Sequence, residues 1–177
     1  MDRNDPPGGN VARPSLGELG ATVARLLRTA GQTVAVAESS TGGLLSASLL
    51  AVPGASAWFL GGGVVYTAQS RREILGIRAE DVAGLEPLTE PMAARFAEFA
   101  RRRLGADWGL AELGIAGPTG GRGGHPPGTS VIAVDGPVRL ARTVRTGCAD
   151  REDNMWRFTE AALALLEEAA KAQGGTP

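Results

Sequence analysis

Apolar residues recur along this chain with two periods, one typical of helices and one typical of strands. Apolar residues at helical spacing predict helices over residues 16–30, 44–52, 68–75 and 90–104, and a last helix that Asp150 caps and that runs to about residue 171. Short β-favouring runs predict strands over residues 33–37, 61–66, 108–115, 129–134 and 138–144. Asp135-Gly136 between the last two strands is a hairpin signal. This order of elements predicts an α/β fold in which helices cover both faces of a mixed sheet.

The chain length predicts one compact domain with two loose ends. Residues 1–14 are polar and rich in Pro and Gly, so they cannot bury enough surface to offset the entropy of ordering, and we expect them to be disordered. Residues 15–172 are expected to form the domain, and residues 173–177 a loose C-terminus.

Composition and charge exclude several classes of protein. With 18 basic and 19 acidic side chains, the formal net charge is -1, which gives no global field for nucleic acid or an anionic membrane. No apolar run approaches the length of a membrane span, and the N-terminus lacks a secretory signal. A single cysteine and a single histidine argue against a disulfide framework and a zinc site. We therefore expect a soluble cytoplasmic protein without metal or cofactor.

A hydroxyl-rich turn, Glu38-Ser-Ser-Thr-Gly-Gly43, joins the first strand to the second helix. A helix start leaves backbone N–H groups unpaired, and those donors favour a phosphate or a developing oxyanion. The turn therefore predicts a hydroxyl nucleophile and an anion site within the same six residues. The alternative is a well-capped helix in which Ser40 or Thr41 bonds a backbone amide and the glycines only let the chain turn.

A second candidate is the glycine-rich loop from Gly114 to Gly128, whose backbone amides are suited to line a substrate pocket; a mobile surface loop is the alternative. The loop lacks the Lys-Ser/Thr of a P-loop, and no helix follows its glycines directly, so a nicotinamide-dependent oxidoreductase is disfavoured. His125 is expected to be an exposed loop residue and Cys148 a small structural thiol. Tyr66, at a strand end, is suited either to orient a ligand or to pack half-buried in the core.

Several short motifs occur together in the order and spacing of one family. They are the turn at 38–43, Pro53-Gly-Ala-Ser-Ala-Trp-Phe59, Gly63-Val-Val-Tyr66, Arg72-Glu-Ile-Leu-Gly76, Gly114-Ile-Ala-Gly-Pro118, Pro127-Gly-Thr129 and Asp150-Arg-Glu152. Over about residues 16 to 170 the chain resembles the C-terminal domain of CinA, the nicotinamide-nucleotide amidohydrolase family. The resemblance implies a three-layer α/β/α sandwich, a homodimer, and hydrolysis of nicotinamide mononucleotide to nicotinic acid mononucleotide and ammonia.

The resemblance also implies roles for individual residues. Ser39 corresponds to the family's nucleophile, and Tyr66 and Arg71 occupy its other catalytic positions. The substrate-binding residues would be Thr41, Gly42, Gly43, Gly114, Ala116, Gly117 and Arg151. The arginine is suited to phosphate, because a guanidinium binds phosphate oxygens two at a time.

The chain departs from the family where catalysis is most sensitive. Arg71 replaces a lysine that can assist the serine, and arginine keeps its proton, so it is a poor general base. Leu113 replaces a Thr or Ser expected in the pocket wall. Ala149 and Met155 replace a family glycine and arginine. A rival hypothesis is therefore an inactive member of the family that binds a nucleotide or a protein partner.

Overall fold

A five-stranded mixed sheet forms the centre of the protein in a computed structural model that describes residues 13–174. The strands are β1 (Val34–Glu38), β2 (Phe59–Val64), β3 (Trp108–Ile115), β4 (Thr129–Asp135) and β5 (Leu140–Arg145). Their order across the sheet is β2-β1-β3-β4-β5. Strand β1 runs parallel to both of its neighbours, whereas β3, β4 and β5 pair antiparallel. The predicted mixed sheet is confirmed.

Helices cover both faces of this sheet. They are α1 (Leu16–Ala30), α2 (Leu44–Leu50), α3 (Ala68–Ser70), α4 (Glu90–Leu104) and α5 (Arg151–Gln173). Helices α1, α2 and α5 pack together on one face, and α4 packs against β1, β3 and β4 on the other. The fold is therefore the three-layer α/β/α sandwich that the resemblance implied. Among the helices described, none is both long enough and apolar enough to cross a bilayer.

The sheet separates two clusters of buried apolar side chains, because successive residues of a strand point to opposite faces. Trp108 and Leu110 of β3 belong to the cluster beneath α1, α2 and α5. Ala111 and Leu113 belong to the cluster beneath α4. This alternation assigns Glu112, which follows Ala111, to the face covered by α5. The same alternation decides below which candidate residues share a cavity.

The structure corrects the predicted elements around residues 59–75. Strand β2 begins and ends two residues earlier than predicted, so Tyr66 lies beyond the strand, and it is 57% exposed. The expectation of a half-buried core tyrosine is therefore wrong. The predicted helix over 68–75 consists of one turn of α3 followed by a wider π-helical turn, Arg71–Leu75.

Only the end of the segment predicted to be disordered falls within the described residues. Residues 1–12 lie outside them, as do residues 175–177 of the predicted loose C-terminus. Arg13 forms an ion pair with Glu152 of α5 at 3.0 Å, and its guanidinium lies 5.5 Å from the ring centre of Trp156. Helix α5 extends to Gln173.

Candidate functional site

The turn between β1 and α2 is built around the buried carboxylate of Glu38. Its Oε2 accepts hydrogen bonds from the backbone N–H groups of Gly43 at 2.9 Å and Leu45 at 3.1 Å. Its Oε1 accepts from Ser46, through the backbone N–H at 3.1 Å and the hydroxyl at 2.6 Å. The hydroxyl of Thr41 donates to Oε2 at 2.8 Å. A side chain of the protein thus occupies the start of α2, where negative charge is stabilised.

This arrangement corrects one expectation from the sequence. The amides at the start of α2 were expected to be open to a phosphate or an oxyanion, yet those of Gly43, Leu45 and Ser46 already donate to Glu38. Thr41 is fully buried and bonds to Glu38, so it supports the turn. The alternative of a capped helix describes this end of the turn, with Glu38 as the capping group in place of Ser40 or Thr41.

A second buried carboxylate, that of Glu112 on β3, holds the other end of the turn. Glu112 lies opposite Glu38 in the sheet register, and both are fully buried. Its Oε2 accepts from the backbone N–H groups of Ser39 at 3.2 Å and Thr41 at 3.0 Å. Its Oε1 accepts a short hydrogen bond from the Ser40 hydroxyl and another from Ser130 at 2.8 Å. Burial raises the pKa of Glu112, and the hydrogen bonds from Ser40, Ser130, Thr41 and Ser39 oppose that rise.

Gly114 provides the space in which Ser40 and Glu112 meet. A Cβ at position 114 would overlap Ser40 Oγ and lie 2.6 Å from Glu112 Oε1. Position 114 therefore requires glycine because of this close approach. The serine and the carboxylate stay in contact only while nothing larger than a hydrogen atom occupies that point.

A cleft of about 220 Å³ opens where the turn meets the glycine-rich loop after β3. Its walls are formed by Ser40, Tyr66, Gly114, Ile115, Ala116, Gly117, Thr119, Gly120, Gly121 and Arg151. The guanidinium of Arg151 donates to the carbonyl oxygen of Gly117 at 2.7 Å and approaches the Tyr66 hydroxyl at 3.5 Å. Wider depressions of about 420 and 430 Å³ lie along the outer surfaces of α4 and α1, away from the hydroxyl turn.

The structure brings together only half of the residues that the sequence nominated. Tyr66, Gly114, Ala116, Gly117 and Arg151 all line the cleft. The remaining candidates, Ser39, Thr41, Gly42, Gly43 and Arg71, are absent from its walls.

The nominated serine and its neighbour differ in their surroundings. Both are buried, Ser39 at 7% and Ser40 at 4% exposure. The hydroxyl of Ser39 has no hydrogen-bond partner in the described part of the chain, whereas that of Ser40 donates to Glu112 beside the cleft. Gly42 is exposed beside Met155, whose Cε would lie 2.9 Å from a Cβ at that position.

Arg71 and Leu113, two of the departures from the family pattern, lie on the α4 side of the sheet. The Nε of Arg71 donates to the carbonyl oxygen of Val65 at 3.2 Å, and its guanidinium lies 5.2 Å from the ring centre of Phe96. Burial lowers the pKa of Arg71. Leu113 packs in the core cluster beneath α4 and is not a wall residue of the cleft.

Sequence reasoning missed three polar residues that organise the cleft. Glu112 and Ser130 lie in segments that the sequence predicts as strands, and the signal for Glu112 is a carboxylate within the apolar run of β3. Asn154 of α5 is fully buried and donates to the carbonyl oxygens of Ala116 at 2.7 Å and Cys148 at 2.9 Å. It thereby fixes the loop against α5. Within residues 13–174, no group of three or more His, Cys, Asp or Glu side chains is placed to hold a metal ion.

Comparison with known proteins identifies the family to which this chain is similar. Residues 17–170 match the CinA C-terminal domain. A CinA-like protein of Parasynechococcus marenigrum is 46% identical over 119 residues, which cover 67% of this chain and 28% of that protein. A CinA-like protein of an Anaeromyxobacter species is 40% identical over 154 residues, covering 87% of this chain and 38% of that protein. The chain thus spans 28% to 38% of the length of these curated relatives.

Solved structures agree with this assignment. A CinA superfamily protein from Klebsiella pneumoniae superposes with a TM-score of 0.82 at 31% identity, covering 90% of this chain and 99% of that chain. A competence/damage inducible protein from Agrobacterium tumefaciens gives a TM-score of 0.79 at 29% identity, covering 92% and 98%. The chain belongs to the CinA family.

Proposed function

We propose that this CinA-family chain hydrolyses the carboxamide of nicotinamide mononucleotide, releasing ammonia and nicotinic acid mononucleotide. The observation that carries the proposal is the cleft in which a serine hydroxyl, a glycine-rich backbone and a guanidinium meet. Ligands of α/β sheets commonly bind outside the carboxyl ends of the strands, and this cleft lies beyond the carboxyl ends of β1 and β3.

Arg151 is the residue we propose for the phosphate. It stands at the start of α5, where the helix dipole also favours an anion, and its guanidinium is held by Gly117 and Tyr66. A guanidinium carries five N–H donors in a planar fork, so donors remain for phosphate oxygens after these contacts. The exposed ring of Tyr66 lies beside this group and is proposed to orient the substrate.

The proposed reaction is acyl transfer to a serine. The hydroxyl attacks the carboxamide carbon, ammonia leaves, and water hydrolyses the resulting ester. Backbone N–H groups of the loop after Gly114 are the proposed donors to the oxyanion, since the amides at the start of α2 donate to Glu38. Two adjacent hydroxyls are candidates for the nucleophile: Ser39, which the resemblance assigns, and Ser40, which lies in the wall of the cleft.

The test is release of ammonia from nicotinamide mononucleotide by the purified chain, with nicotinic acid mononucleotide identified as the second product. We expect turnover that requires at least one of the two serines, so that a Ser39→Ala, Ser40→Ala double variant is inactive. Ammonia release that persists undiminished in the double variant would exclude a serine mechanism. No ammonia release from the unaltered chain would exclude the proposed activity.

The second candidate is a family member that binds a nucleotide without hydrolysing it. Arg71 favours this candidate, because the position of the assisting lysine holds a guanidinium that donates to a backbone carbonyl and packs on Phe96. Losing a positioned base typically lowers the rate by about 10² to 10⁴-fold. Calorimetry separates the candidates, since binding of nicotinamide mononucleotide without ammonia release supports the second one.

The resemblance also leads us to propose a homodimer. Exposed apolar side chains near the free edge of β2, Leu60, Val64 and Ile74, are the surface we propose for it. Sedimentation equilibrium tests this, and a mass equal to one chain at micromolar concentration would contradict it.

A further inference from the structure

Asn154 is a fully buried amide in the first turn of α5, and its side-chain nitrogen and oxygen both have partners. The nitrogen donates to the carbonyl oxygens of Ala116 at 2.7 Å and Cys148 at 2.9 Å. The oxygen accepts from the hydroxyl of Thr146 at 2.5 Å. Buried polar groups are stable in a protein when they are paired in this way. Asn154 is therefore bonded both to the glycine-rich loop and to the segment that precedes α5.

Two successive carbonyl groups of the glycine-rich loop are held by one face of α5. Asn154 binds the carbonyl oxygen of Ala116, and Arg151, three residues earlier on the same helix face, binds that of Gly117 at 2.7 Å. The chain around Gly117 is also closely packed. Its φ is +109°, and a Cβ there would lie 2.5 Å from the carbonyl oxygen of Ala149. The orientation of both peptide groups is therefore set from α5.

The planarity of the peptide bond then sets the direction of the Gly117 N–H. In a trans peptide the N–H points opposite to the carbonyl of the preceding residue, and the peptide between Ala116 and Gly117 is trans. The Ala116 carbonyl points to Asn154, which is not a wall residue of the cleft, whereas Gly117 is one. Among the described residues the Gly117 N–H has no acceptor. In the same loop the N–H of Gly128 donates to the carbonyl oxygen of Ile115 at 2.8 Å.

We propose that Asn154 is a positioning residue, which directs the N–H of Gly117 at the oxyanion formed when the serine of the turn attacks the carboxamide. This inference rests on the proposed amidohydrolase activity and goes beyond it, since the resemblance gives Asn154 no role. An N–H that is held in place before the reaction stabilises the developing charge without a cost of reorganisation. Asn154 touches neither the substrate nor the reacting atoms and acts through the peptide group that it holds.

The reaction that this N–H assists balances with water as the only co-reactant. The serine oxygen bonds to the carboxamide carbon, and the carbonyl oxygen takes up the negative charge that the Gly117 N–H stabilises. The carbon–nitrogen bond then breaks, and the serine proton leaves with the nitrogen as ammonia. Water splits the resulting ester through a second oxyanion at the same place, which gives the acid and restores the hydroxyl.

Kinetics with nicotinamide mononucleotide test the role of Asn154. We expect Asn154→Val to lose about 10² to 10³-fold in kcat, the loss typical of one oxyanion donor. KM should change little, because the contact is made only in the transition state. The matched control is Thr159→Val, also fully buried on α5, whose hydroxyl donates to the carbonyl oxygen of Met155 within the helix. Its kcat should equal that of the unaltered chain. An unchanged kcat in Asn154→Val, a loss confined to KM, or an equal loss in Thr159→Val overturns the proposal.

Variants of Thr146 test the same contacts without changing Asn154 itself. Thr146→Val removes the hydroxyl that the Asn154 oxygen accepts, so the amide is held less firmly. We expect kcat to fall about 3 to 10-fold, as for the loss of one ordinary hydrogen bond. Thr146→Ser keeps a hydroxyl and should restore the kcat of the unaltered chain. Equal kcat values in these two variants overturn the proposal, whether or not Asn154→Val folds.

Amide hydrogen exchange, followed by NMR, tests the geometry without any turnover. Gly117 and Gly128 are both buried, yet we expect the Gly117 N–H to exchange fast because it faces the cleft, and the Gly128 N–H to exchange slowly. The aldehyde analogue of nicotinamide mononucleotide, which forms a hemiacetal with a serine, should slow exchange at Gly117 in the unaltered chain and not in Asn154→Val. A Gly117 N–H that is already protected in the free chain overturns the inference, even if ammonia is released. Absence of ammonia release from the unaltered chain refutes the proposed function instead, so the two failures are distinguishable.

Discussion

Replacing Glu38 with alanine removes the group that satisfies the start of α2. Three backbone N–H groups, those of Gly43, Leu45 and Ser46, lose their acceptor. The Leu45 amide is buried, so its loss costs about 1–3 kcal/mol, and we assign about 1 kcal/mol to each of the two partly buried amides. The gross cost is thus about 3–5 kcal/mol.

One effect acts in the opposite direction. Glu38 is fully buried and has no Lys or Arg partner among the ion pairs of the described residues, so its removal also removes the cost of desolvating a carboxylate. We therefore expect Glu38→Ala to lower the free energy of unfolding by about 2–4 kcal/mol. That is a large part of the about 5–15 kcal/mol by which proteins are stable. Glu38→Gln should cost less, since its amide oxygen still accepts at one of the two positions.

Urea unfolding followed by circular dichroism measures this loss. The matched control is Glu160→Gln, an exposed position on α5, whose unfolding midpoint should stay where it is in the unaltered chain. If Glu38→Ala unfolds within about 1 kcal/mol of the unaltered chain, the carboxylate does not hold the start of α2 and our account of the turn is refuted.

Three further predictions concern the cleft. Gly114→Ala should abolish turnover, because its Cβ would overlap Ser40 Oγ. Gly17→Ala, whose Cβ would lie at an ordinary contact distance of 3.7 Å from the carbonyl oxygen of Ala51, should keep full activity, and an active Gly114→Ala would refute the steric account. Burial raises the pKa of Glu112 above 4.5, so the folded state keeps this proton to a higher pH than the unfolded chain does. The free energy of unfolding should therefore fall as the pH rises from 4.5 through the folded pKa, and then level off. Glu112→Gln should remove that slope from unfolding curves, and a persisting slope would assign it to another group. Arg151→Gln should raise KM for nicotinamide mononucleotide about 10 to 100-fold and change KM for nicotinamide riboside much less; equal effects on both would place the phosphate elsewhere.

Much of the architecture could be predicted from local sequence alone. The helices beginning at Leu16 and Glu90 and the strand from Trp108 to Ile115 lie where periodicity placed them, since each carries its apolar face within one continuous segment. The short motifs also identified the family, which the comparisons confirmed. The predicted end of β2 at Tyr66 was wrong, because an edge strand ends where its pairing with β1 ends. The residues of β2 alone do not specify that pairing.

For the candidate site too, the sequence revealed some of the residues and only the structure revealed the others. The sequence by itself nominated the hydroxyl turn, the loop after Gly114 and Arg151, because glycine, hydroxyl and guanidinium groups are unusual enough to be noticed singly. Only the tertiary structure decided that Glu38 occupies the start of α2 and that Glu112 meets Ser40, since the latter contact joins residues 72 positions apart across two strands. Strand alternation then decided the side of the sheet on which each group lies, and a sequence without known pairing does not reveal which face becomes the cleft.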